Sequence, residues 1–78
     1  MNQYEDFLRS DIYRTVRRFC FQNGLSQADV WRGLRMRLMV KTGFTVPTTA
    51  KNKLAEIQKA GHLETFHALA EELECYGR

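Results

Sequence analysis

The sequence predicts an all-α fold, a compact bundle of four helices with short loops, in a single domain over residues 1–78. Three observations lead there. Apolar residues recur three and four positions apart in four separate stretches. No segment alternates with period two for long enough to make a strand. Gly24, Gly43 and Gly61, with the single proline Pro47, fall between the stretches, where a bundle places its turns. The composition agrees: 44% hydrophobic and 27% charged residues belong to a globular chain rather than a disordered one. A chain of 78 residues has room for one small core. Such a core supplies only about 3–5 kcal/mol, so self-association as a homodimer is expected.

The first helix is expected over about Gln3 to Asn23, with Tyr4, Leu8, Ile12, Val16, Phe19 and Cys20 on one apolar stripe. Glu5 and Asp6 suit its positive end, and Arg17 and Arg18 its negative half. Gly24 supplies a left-handed stop, followed by the apolar Leu25 that often accompanies one. The second helix opens at Ser26, with Asp29 three residues on in the manner of a capping box, and runs from Gln27 to Thr42. Val30, Trp31, Leu34 and Leu38 share a face, while Met36 and Val40 lie off it. A helix apolar over more than half its circumference should sit centrally or have two partners.

Phe44 to Thr48 reads as a loop, in which Pro47 makes Val46 extended. Thr48 or Thr49 can cap a third helix running to about Ala60, with Ala50, Leu54 and Ile57 inward. After Gly61, a fourth helix from about His62 to Tyr76 carries the stripe Leu63, Phe66, Leu69, Ala70 and Leu73, with Glu64, Glu71 and Glu74 on its other side.

Several functions are excluded or disfavoured. The chain has no run of eighteen apolar residues, so a membrane span is not expected. Its acidic start lacks a basic-then-apolar export pattern, which favours the cytoplasm. Cys20 and Cys75 have no close-spaced companions and read as reduced, small apolar residues. His62 and His67 resemble a metal pair only superficially. Five residues turn a helix by roughly 500°, which leaves the two rings about 140° apart. No metal, no cofactor and no enzymatic activity are expected, since neither a nucleophile–base set nor a phosphate-cradling glycine loop is present.

Charge is the informative quantity. The net charge is +3, but residues 12–53 hold nine basic side chains against Asp29 alone, and both flanking segments are acidic. A positive centre of this kind fits an anionic partner; a solvated face balanced by the chain's own acidic ends is the plainer account. Arg32, Arg35, Arg37 and Lys41 form the densest cluster, with Arg32 and Arg35 lying together. On the third helix, Thr49, Asn52 and Lys53 point outward beside Thr48 and Lys51. Such N-terminal residues read base edges in a recognition helix: Asn pairs with adenine, Thr meets a thymine methyl and Lys holds phosphate or guanine. A secondary face on the first helix interleaves Arg14, Arg17 and Arg18 with Phe7 and Phe21. That face suits single-stranded nucleic acid or, more simply, a dimer contact.

Gly24-Leu25-Ser26-Gln27-Ala28-Asp29-Val30 resembles the opening of the first helix in repressor-type helix-turn-helix units, and Pro47-Thr48-Thr49-Ala50-Lys51-Asn52-Lys53-Leu54 is similar to a recognition helix. The resemblance implies a helix-turn-helix-like core and a small regulator of phage or mobile-element type. The sequence departs from the pattern in one respect: the helix after Ser26 continues through Val40, where the family places a tight turn after about two turns of helix.

The expected function is therefore a small basic DNA-binding protein, a transcriptional or replication regulator. It would hold double-stranded DNA through Arg32, Arg35, Lys41, Thr48, Thr49, Lys51, Asn52 and Lys53. The alternative is a protein–protein interaction module, an inhibitor or adaptor, docking an acidic partner surface with Trp31, Met36 and Met39 as anchors.

Overall fold

Four helices, α1 (Gln3–Asn23), α2 (Gln27–Thr42), α3 (Lys53–Lys59) and α4 (Leu63–Tyr76), make up the computed structural model, which describes residues 3–47 and 49–76. Among the described residues there is no strand. Thr48 and the Cys75 side chain lie outside them.

The core follows the apolar periodicity. Leu8, Ile12, Val16 and Cys20 of α1 face Leu63, Phe66, Leu69, Ala70 and Leu73 of α4, and these two helices form the principal pair. α2 adds Val30, Leu34 and Leu38, α3 adds Leu54 and Ile57, and Val46 closes the core from the loop. Phe66, Ile12 and Leu38 have no exposed surface at all. Burying each such side chain contributes about 1.5–3 kcal/mol. An aromatic series then ties three helices together. The Tyr13 ring meets Trp31 edge-on at 5.3 Å, and Trp31 lies parallel to Phe66 at 5.9 Å.

The turns are fixed by backbone bonds. Gly24 takes φ 63°, and the Leu25 N–H donates to the Cys20 carbonyl at 3.0 Å. Gly61 takes φ 80°, its N–H donating to Gln58 and that of His62 to Ile57. Both are six-residue closures that satisfy carbonyls a helix would leave open, and both need a residue without a Cβ penalty at positive φ.

Three expectations are corrected. Ser26 occupies the N-cap of α2 with extended backbone, yet its side chain makes no capping bond. Asp29 instead lies 3.9 Å from Arg32, one turn on. α3 begins at Lys53, not at the threonines. Asn52 is its N-cap, accepting the Ala55 N–H at 3.1 Å, and the Ala50 N–H is already engaged by the Pro47 carbonyl at 3.2 Å. Asn is the stronger cap, and the turn it follows leaves Thr49, Ala50 and Lys51 ahead of the helix. α2 has the two partners its wide apolar arc called for, packing on both α1 and α4. Its outer face leaves Met36, Met39 and Val40 exposed, with no second element over them among the described residues. Tyr4, expected inward, is also exposed.

Ile12→Asp places an unpaired charge where no surface is exposed. The expected result is loss of more than about 4 kcal/mol, enough to unfold a core of this size. Circular dichroism melting would show it as a missing cooperative transition.

Candidate nucleic-acid interface

The segment before α3 returns the chain to the flank of α2. There Arg35, Lys51, Asn52 and Lys53 border one groove of about 380 Å³, whose remaining lining is Tyr13, Trp31 and Leu54. The arrangement comes from local structure. Trp31 and Arg35 are four residues apart on α2 and so lie on one side of it. Trp31 is held against Phe66 from the core side. Leu54 is buried in the first turn of α3, which fixes Lys53 and Asn52 at the rim. No carboxylate lines this groove, and none lies within ion-pairing distance of Arg35, Lys51 or Lys53 among the described residues. The Asn52 carbonyl oxygen is used in capping, so its amide NH₂ is the group free to face a ligand.

Arg35 also borders an adjoining groove of about 430 Å³ with Arg32, Met36, Met39 and Thr45. A single surface thus carries Arg32, Arg35, Lys51, Asn52 and Lys53. The Arg32 cation is shared with Asp29, but both side chains are mostly exposed, so the pair is weak. Lys41 sits elsewhere, with Arg37 and Glu72 on the side of α2 that faces α4. Thr49 is exposed in the turn, and Thr48 lies outside the described residues. The loop is braced at its start as well. The Thr42 hydroxyl donates to the Leu38 carbonyl and accepts from the Phe44 N–H, and the Phe44 ring lies 5.2 Å from that of His62.

The secondary face on α1 is less free than the sequence indicates. Phe7, Arg17, Arg18 and Phe21 are exposed, Phe21 at 89%. Arg14 donates to Asp11 at 2.9 Å, which occupies one of its cationic donors. Phe7 lies 6.4 Å from the His67 ring.

A second polar cluster joins α1 to α4. His67 Nε2 lies 2.7 Å from Asp11 Oδ2 and 3.3 Å from Glu71 Oε1. An ionised carboxylate only accepts, so Nε2 carries the proton in this pair. His67 and Glu71 are one helical turn apart, but Asp11 comes from the other end of the chain, and no local spacing could have revealed it. These three residues, with ligand atoms within 4.8 Å of one another, are the described group that could hold a cation. Doing so would require His67 to surrender the proton that now binds Asp11. The His67 hydrogen bond and the Arg14 guanidinium hold the Asp11 carboxyl below its ordinary 3.8, against the opposing effect of burial. Burial alone pushes the Cys20 thiol up, which keeps it protonated and unreactive at neutral pH.

The Asp11 shift has a definite sign. A carboxyl with a lowered folded-state pKa stabilises the fold fully above its unfolded value, near 3.8, and that contribution vanishes as pH falls through the folded value. Asp11→Asn should therefore lower the urea midpoint at neutral pH, and wild type and variant should converge as pH falls well below 3.8. Urea titrations at the two pH values measure it.

Comparison with protein-family models, with curated proteins and with solved structures finds no match for this chain.

Proposed function

We propose that this protein binds double-stranded DNA through the surface between α2 and the start of α3, as a small regulator of transcription or replication. The observation that carries the reading is the groove bordered by Arg35, Lys51, Asn52 and Lys53 with no carboxylate in it. Cations that lack internal partners are available to phosphates, and each phosphate they neutralise releases counterions. Tyr13 and Trp31 offer an apolar wall for sugars between the charged groups. Because α3 has seven residues and begins at Lys53, Lys51 and Asn52 reach the duplex from the turn before the helix rather than from a helix laid along the major groove. Binding is then dominated by backbone contacts, with strong salt dependence and modest sequence discrimination. A homodimer would place two such surfaces on one duplex and add avidity.

An acidic protein surface in place of the duplex is the second reading. It is favoured by exposed Met36 and Met39 beside Arg32 and Arg35. The two readings part in one experiment. Fluorescence anisotropy with a duplex of about two helical turns should give sub-micromolar binding at low salt. The double variant Lys51→Ala/Lys53→Ala should weaken it for all sequences and reduce the salt slope by about two. Lys59→Ala, at the far end of α3, should change neither. Micromolar or weaker binding by the wild type, or a slope unchanged in the double variant, overturns the DNA reading.

A further inference from the structure

The seam between α1 and α4 carries one group of side chains that neither the core nor the basic groove uses. His67 and Glu71 stand one turn apart on α4, and Asp11 reaches them from α1. One nitrogen faces both carboxylates: His67 Nε2 lies 2.7 Å from Asp11 Oδ2 and 3.3 Å from Glu71 Oε1. A single N–H cannot point at two oxygens. Asp11 takes it at hydrogen-bond length, which leaves Glu71 a long second contact. Two negative oxygens, within 4.8 Å of each other and of the same nitrogen, thus have one proton between them.

We infer that this group binds one zinc ion, which joins α1 to α4 through Asp11, His67 and Glu71.

The spacing supports it. Bonds of about 2.0–2.2 Å at tetrahedral angles set neighbouring ligand atoms about 3.3–3.5 Å apart. The Glu71 oxygen already stands at that distance from Nε2. Asp11 Oδ2 has to withdraw by about 0.7 Å, a small turn of one carboxylate. The carboxylate is also oriented for this. Arg14 donates to Asp11 Oδ1 at 2.9 Å, so the oxygen facing His67 is the one left for a metal. An outer partner of this kind fixes a ligand carboxylate. The Phe7 ring flanks the imidazole at 6.4 Å, and the exposed Glu71 gives the ion a way in from solvent. Three protein ligands leave a fourth position for water.

Charge and donor type select the ion. A neutral imidazole with two carboxylates carries two negative charges, which one divalent ion cancels. The proton leaves Nε2, and the ring stays neutral by holding its hydrogen on Nδ1. Imidazole nitrogen suits zinc and its neighbours, whereas magnesium takes oxygen ligands in octahedral geometry and gives up its water reluctantly. The benefit is structural. A core of 78 residues is near the size at which small proteins add a metal or another cross-link, and α1 and α4 are the principal pair. None of the three residues lines the basic groove, so the inference stands apart from the DNA reading.

Calorimetric titration of the chelator-treated full chain with zinc chloride tests the inference. One equivalent should bind. The melting midpoint by circular dichroism should rise by about 10 °C or more with zinc at a hundredfold excess over its dissociation constant. Cobalt(II) should give the intense visible bands of a four-coordinate site, and magnesium should change nothing. Glu71→Gln alters an exposed side chain, so it should fold like the wild type while weakening zinc at least about tenfold. His67→Gln should abolish the melting shift, and His62→Gln, outside the cluster, should leave binding as it is. A wild type that takes up no zinc overturns the inference. So does zinc uptake that survives both Glu71→Gln and His67→Gln undiminished, or that is lost in His62→Gln, since the ion would then sit on other residues.

Discussion

The contact on which the rest of the molecule depends is Trp31 against Phe66. Phe66 is wholly buried between α1 and α4, the pair that forms the core. Trp31 lies parallel to it and receives the edge of Tyr13, so three helices meet at one aromatic series. Stacked and edge-on pairs of this kind add about 0.5–1.5 kcal/mol beyond the area they bury. More important is their position: the indole that completes the core is also a wall of the basic groove. Any change that loosens the core at Phe66 therefore moves Arg35 relative to Lys51 and Lys53.

Most of the fold was legible because helical periodicity and left-handed glycines are local signals. Gly24 and Gly61 end their helices where the apolar pattern stops, and Phe66 and Ile12 fall on the stripes that the spacing marks. The errors have physical causes of another kind. Thr48 and Thr49 are acceptable caps, but Asn52 is a better one, and the choice between them is decided by a turn at Pro47 that propensity does not weigh. The wide apolar arc of α2 called for two partners, and α1 and α4 supply them; Met36, Met39 and Val40 lie outside those contacts and stay exposed.

The candidate site was legible as a charge excess but not as a surface. Arg35 and Lys53 are eighteen positions apart, and their convergence depends on how the loop between α2 and α3 folds back. Lys41 belongs to the same sequence cluster as Arg32 and Arg35 yet lies on the opposite flank of α2, because six residues turn a helix through well over one revolution. The Asp11–His67–Glu71 cluster gave no signal at all. Its members are separated by most of the chain, and only packing of α1 on α4 unites them.

The loop that carries Lys51 is tied down at both ends. Thr42 bonds in both directions where α2 stops, Phe44 rests on His62, and Asn52 locks the first turn of α3. A charged side chain on a freely moving segment must surrender backbone entropy when it meets a ligand, and that loss subtracts directly from affinity. With its anchors already made, this segment presents its cations in a nearly set arrangement. Lys51 and Lys53 are the two cations held this way, so a ligand meeting them would leave less backbone entropy to be lost.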